Sequence, residues 1–317
     1  MNRSVLTILF ILSGINLYSQ QPAQYTQYML NKTYINPGAT GTEDALTITG
    51  IGRHQWIGLK DENNQSIYPR TYQLTAEMPL FSIHSGLGIS IENDQLGIEK
   101  NTNLRLNYAY HFKIDKFQFL SVGVDAEMMN KSMDFSQFKV TDPNDPLLNQ
   151  TGTQKGASSS LGLGLFYSYP EKIYLGLSGM QLLGSSAKVG AATYNLIPCY
   201  NFMAGYDIWI EKSKWHKIAI SPGILIRTIR SSTQYELNAL LHYDEKYWGG
   251  LMYRFKDAAG LIAGIKIDKI SVGLSYEYTL SDLRKAGSKG SLELVLRYFL
   301  PMKENIKMKG YYNPRYL

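Results

Sequence analysis

The feature that most constrains the fold is a period-two alternation repeated through most of the chain. In "NLRLNYAYHFK", Leu104, Leu106, Tyr108, Tyr110 and Phe112 share one face. Asn103, Arg105, Asn107, His111 and Lys113 share the other. Successive strand side chains point to opposite sides, so each such run is a strand with one apolar and one polar face. "STQYELNALLHY" sets Tyr235, Leu237, Ala239, Leu241 and Tyr243 against Gln234, Glu236, Asn238 and His242. "ISVGLSYEYT" lines up Ile270, Val272, Leu274, Tyr276 and Tyr278. "SLELVLRYFL" puts Leu292, Leu294, Leu296 and Tyr298 opposite Glu293 and Arg297. Amphipathic helical spacing is hard to find, and past the start no apolar run is long enough for a membrane helix.

The alternation predicts about fourteen strands, each near the length a tilted membrane strand needs. They fall near 45–57, 68–79, 84–94, 101–113, 117–129, 157–168, 172–183, 194–210, 215–229, 233–243, 246–256, 259–267, 269–279 and 289–299. Tight connections, such as Ile114-Asp115-Lys116 and Asp244-Glu245-Lys246, contrast with long segments at 58–68, 130–156 and 281–289. Short turns on one side and long loops on the other mark an outer-membrane barrel, and an even strand count puts both termini at the periplasmic side. A soluble β-sandwich also alternates. Against it stand the tyrosines near strand ends, placed as in aromatic girdles. The second face also keeps Arg105, Asp125, Glu127, Glu236, Arg254, Lys266, Glu277, Glu293 and Arg297. A sandwich core does not tolerate so many charges, whereas a polar lumen does. The fold class expected is all-β, a transmembrane antiparallel barrel with an N-terminal plug-like segment.

Composition agrees with this reading. Tyr is in excess (24, against 11 Phe and 4 Trp), and charged residues are 18% of the chain. The formal charge of +6 is scattered among acidic neighbours, which speaks against nucleic acid and leaves outer-membrane lipid as the surrounding partner. The lone Cys199 has no disulfide partner, and the five histidines share no metal-ligand spacing. There is no HExxH, GxSxG or P-loop. Gly86-Leu87-Gly88 continues as a strand and is not a phosphate loop. No catalytic residue, cofactor or metal site is therefore expected, and the chain does not read as an enzyme. His54 beside a serine as a rim enzyme has nothing to select it. Asp142-Pro143-Asn144-Asp145-Pro146 could be imagined as a calcium loop, though Asp and Asn beside Pro are ordinary turn formers. Asn93-Asp94 with Gly97 is read as opening the loop after the third strand. Trp56 is read as an interface anchor, and Arg53 as a lumenal ion-pair partner.

"MNRSVLTILFILSGINLYSQ" reads as a secretory signal, cut near Ser19 or Gln20. The division expected is 1–20 signal, 21–44 periplasmic or lumenal segment, 45–300 barrel and 301–317 periplasmic tail. "QYTQYMLNKTYINPGATG" is neither helix face nor strand, and it is too aromatic for ordinary disorder. Its tyrosines and amides suit a lumen wall. The expectation is a periplasmic-side plug, with Asn36-Pro37-Gly38 turning the chain into the first strand.

Across nearly the whole chain beyond that start, these residues resemble the PorP/SprF family of Bacteroidetes outer-membrane proteins. The likeness is carried in the N-terminal segment by Gln24, Tyr25, Gln27, Tyr28, Met29, Asn31, Asn36, Pro37 and Gly41. In the barrel it is carried by Arg53, Trp56, Gly58, Asn93, Asp94, Gly97, Asn103 and Tyr108. "GLSYEYTLSDLRKAGSKGSLELVLRY" and the ending "YYNPRYL" also fit. The sequence departs from the family at His54, where Asn is common, and at Gly290-Ser291-Leu292-Glu293. The resemblance implies a non-enzymatic barrel working in type IX secretion, with gliding motility in some members. It implies type IX components as partners, or a secreted adhesin with a type IX sorting domain. A passive pore or solute channel is the alternative, because a charged lumen permits one.

Overall fold

The computed structural model describes residues 22–61, 64, 66–137, 152–213 and 215–302. The expected signal, the 142–146 loop and the C-terminal "YYNPRYL" lie outside the described residues.

The alternating runs form β1 (Ala45–His54), β2 (Arg70–Leu80), β3 (Ser85–Leu96), β4 (Glu99–Lys113), β5 (Phe119–Asp134), β6 (Thr153–Tyr169) and β7 (Ile173–Met180). A small hairpin follows, β8 (Ser186–Val189) and β9 (Ala192–Asn195). The wall resumes with β10 (Cys199–Tyr206), β11 (Ile208–Lys212), β12 (Lys217–Ile229), β13 (Ser232–Tyr243), β14 (Tyr247–Arg254), β15 (Ala258–Ile267), β16 (Ile270–Thr279) and β17 (Ser291–Pro301). β10 and β11 both pair with β12 and act as one strand, so the closed wall has 14 antiparallel strands. β1 pairs with β17 from Ala45↔Pro301 to His54↔Leu292. Closure leaves the wall no open edge, which is what a strand structure in lipid requires.

Burial follows the sequence pattern. On β4, Leu104, Leu106, Tyr108, Tyr110 and Phe112 are exposed on the outside, whereas Arg105, Asn107 and Ala109 are buried inside. Outward leucines, isoleucines and tyrosines meet lipid, and inward charges meet one another. At one end the turns are tight. The Asp244-Glu245 turn has φ of 51° and 54°, the positive values of a hairpin turn matched to strand twist. At the other end the chain leaves the wall for its long connections, after His54, Asp134, Met180 and Thr279. The long-loop end is the outer face.

Two expected boundaries shift. The run expected at 194–210 begins at Cys199, because Ala192–Asn195 turns back onto Ser186–Val189. That loop lies along β6: Leu182 N–H donates to Leu161 O, Ser185 N–H donates to Ser159 O, and Ala187 and Val189 are buried. Asn93-Asp94 do not open a loop. β3 and β4 pair up to Leu96↔Glu99, and the turn is Gly97-Ile98, where Gly97 has a φ of 56°. Asn93 bonds across the strands to Thr102 Oγ1, and Asp94 accepts from Thr71.

Candidate functional site: a polypeptide segment in the lumen

The residues before β1 lie inside the barrel. A turn at Tyr28–Leu30, a short helix at Lys32–Ile35 and a turn at Pro37–Ala39 fold the segment. The Asn36 side chain accepts from Gly38 N–H at 2.8 Å, and Pro37 follows it as the first residue of the turn. Tyr25, Tyr28, Tyr34, Ile35 and Ala39 are buried with the wall residues Ile51, Phe166, Met203, Leu225 and Val295. Met29 packs between this cluster and a second one of Leu240, Met252 and Ile262. The Tyr25 and Tyr34 rings meet edge to face at 5.1 Å.

Polar contacts take the rest. Glu293 accepts the Thr26 and Gln27 backbone N–H groups, both at 2.8 Å. Thr26 Oγ1 donates to Glu277 at 2.5 Å, and Arg53 donates to Thr26 Oγ1 at 2.7 Å. Tyr25 donates to Glu92 at 2.6 Å, and Asn103 also donates to Glu92. Burial beside Glu92 pushes the Tyr25 phenol well up, so it stays a proton donor. Asn31 donates to Gln73 and Thr75, and Tyr28 accepts from Asn238. Gln24 borders a small gap with Arg227, Gln234 and Glu236.

Two charge networks frame the segment. In the first, Arg53 on β1 bridges Glu277 (2.7 Å) and Glu293 (3.0 Å), and Arg254 bridges Glu236 (2.8 Å) and Glu277 (3.2 Å). All of these side chains are nearly inaccessible. In the second, Arg105 bridges Glu127 at 2.9 Å, donates to Tyr34 O at 2.9 Å and lies over the Tyr34 ring. Among the described residues no group of three or more His, Cys, Asp or Glu could hold a metal ion.

The wall makes room with glycine. A Cβ on Gly123 would lie 2.3 Å from Gly38 N, one on Gly86 2.2 Å from Thr40 O, and one on Gly164 2.0 Å from Asn36 Oδ1. No real Cβ fits such gaps, so the Asn36–Gly41 backbone rests directly on the sheet. Gly41, with a φ of 69°, donates its N–H to Glu77 at 3.0 Å. We expect Gly123→Val to keep strand propensity but expel the turn. Limited proteolysis should then cut within 24–44 while the barrel stays folded; an uncut segment would contradict the cradle.

The contacts also give the segment a direction. Ala23 to Gln27 meet Arg227, Glu277, Glu293 and Arg53, all close to the long-loop ends of their strands. Thr40 and Gly41 meet Gly86, near the short-turn end. The amino end thus sits in the outer half of the lumen, not at the periplasmic side alone. Sequence patterning could not give this polarity, because a non-repeating segment has no register with the wall.

The residues expected to matter divide by place. Gln24, Tyr25, Tyr28, Met29, Asn31, Asn36, Pro37 and Gly41 gather in the lumen with Arg53 and Asn103. Trp56 and Gly58 belong to the first long loop, with Gly58 (φ 103°) close against Gly287 O. Asn93 and Tyr108 face outward, and Gly97 is a turn tip. Glu92 and the glycines 123 and 164 escaped sequence reasoning. Their common signal is position on the inward face of an alternating strand.

A closed barrel of this size, apolar outside and charged within, is an outer-membrane β-barrel. Solved structures it is similar to include the Acinetobacter baumannii outer membrane protein Omp33 (8% identity, 81% of this chain and 99% of that one, TM-score 0.45). Others are the CymD monoaromatic hydrocarbon channel (13%, 89% and 94%, 0.48) and the translocator domain of the autotransporter NalP from Neisseria meningitidis (11%, 86% and 95%, 0.42). No curated protein matches. The chain belongs to the PorP/SprF family of type IX secretion system membrane proteins, whose pattern matches residues 17–298. It is a type IX secretion barrel of the outer membrane.

Proposed function

We propose that this barrel is a non-enzymatic docking component of type IX secretion. It supports the export, the surface attachment or both of a large adhesin that carries a type IX sorting domain, and in gliding cells it serves motility. The observation that carries this reading is the occupied lumen. Residues 22–41 stand where a passive channel needs water, and buried carboxylates hold them there. The segment acts as a plug, with Tyr25, Tyr28 and Tyr34 as its anchors and Asn36-Pro37-Gly38 as its turn into β1. Deleting the gene should abolish surface display of one specific secreted adhesin, read by whole-cell immunolabelling, while other type IX cargo still appears if the role is cargo-specific. Undiminished display of every cargo would defeat the proposal.

A further inference from the structure

The wall holds the lumenal segment by its main chain at six places. Arg227 donates to Ala23 O (3.3 Å), and Glu293 accepts from Thr26 and Gln27 N–H. Arg105 donates to Tyr34 O, Ser178 donates to Ile35 O (2.6 Å), and Glu77 accepts from Gly41 N–H. The wall side chains concerned are all buried. Meanwhile Gln27 Oε1, Asn31 Oδ1 and Thr40 Oγ1 on the segment make no hydrogen bond to the protein. Main-chain groups are common to every polypeptide, so a wall that grips them is built to hold a chain as such. Selectivity is added by the side chains of Tyr25, Thr26, Tyr28 and Asn31, which bond wall groups, by the rings, which fill apolar recesses, and by the glycine cradle, which demands close backbone approach. The segment is joined to β1 only through the short stretch Thr42–Asp44 near the short-turn end, so its removal breaks none of the wall's own strand pairing.

We propose that the lumen is a polypeptide-binding site. It takes one chain with its amino end toward the outer face, and residues 22–41 occupy it as a tethered ligand. A second polypeptide with a tyrosine-rich start and a tight Asn-Pro-Gly-type turn takes the same place once the tethered one leaves. The docking role above supplies only the idea that such a chain is a secreted partner; the site itself stands on the contacts.

The test is exchange in trans. A specific protease site is inserted between Thr42 and Glu43, and the full-length protein is folded in detergent and cut. A fluorescent synthetic peptide of sequence 22–41 is then added, and binding is read by anisotropy. Saturable one-to-one binding is expected. N-methylation of the peptide at Thr26 and Gln27, which removes both donors to Glu293, should weaken it about tenfold or more. A peptide of reversed sequence should not bind. No binding to the cut, folded barrel overturns the proposal, as does equal binding of the N-methylated or reversed peptide. If the insertion prevents folding, the unaltered protein is incubated with the peptide carrying a photoreactive group in place of Tyr28. Crosslinks to the Asn238 region of β13 are expected, and their absence counts against the site. Adhesin display in cells does not enter either readout, so this inference and the docking role can fail separately.

Discussion

A chain lacking residues 24–38 should conduct. In planar bilayers the intact protein is expected to be silent and the deletion to show steady open current. The wall does not need the segment for its own hydrogen bonds, because all 14 strands pair with one another. What the segment supplies is volume and polar partners. Three tyrosine rings and Asn36-Pro37-Gly38 leave with the deletion, and water takes their place beside Glu92, Glu277 and Glu293. A buried carboxylate that loses a hydrogen-bond donor costs about 1–3 kcal/mol unless water replaces the donor. The thermal midpoint should therefore fall only modestly, since the emptied lumen is wet. Silence with no loss of stability would show that the segment does not seal the pore. Current from the intact chain would favour the passive-pore reading.

Arg53→Met should be the most destabilising single change in the lumen. Arg53 faces Glu293 directly in the β1–β17 register and reaches Glu277 on the next strand. Removing the cation leaves Glu293 buried with the Thr26 and Gln27 N–H groups but no cation, and leaves Glu277 with Arg254 and Thr26. Breaking a buried ion pair from one side costs about 3–5 kcal/mol. The loss should appear as a lower temperature for the electrophoretic shift between folded and unfolded barrel. Pairing the change with Glu293→Gln removes the stranded charge and should recover part of it. A midpoint unchanged by Arg53→Met would mean that the network contributes nothing.

The wall was legible in the sequence because lipid and lumen impose opposite demands on alternate residues, so each strand carries its own address. Leu104 to Phe112 and Glu293 to Arg297 are examples. Arg53 was legible as a lumenal ion-pair residue for the same reason. The loop hairpin was not, because Ala192–Asn195 alternates like wall but pairs locally. Asn93-Asp94 misled because turn-forming residues sit well in a strand when a neighbour bonds them across the ladder. The segment's burial could be guessed from its tyrosines and amides. Its direction, and its seat on Gly86, Gly123 and Gly164, could not, since those contacts join residues with no shared period.

The Arg53, Glu277, Glu293 and Thr26 cluster sits where the first and last strands of the wall meet. It therefore ties two events together: the zipping of that seam and the seating of the segment. Whatever loosens the segment removes donors from the carboxylates that face the seam, and whatever parts the seam removes the segment's anchor. Such coupling is reciprocal by thermodynamic necessity. Withdrawal of the segment would leave Glu293 on β17 with Arg53, across the seam, as its partner. The seam between β1 and β17 is thus clasped from inside the lumen as well as by its own ladder.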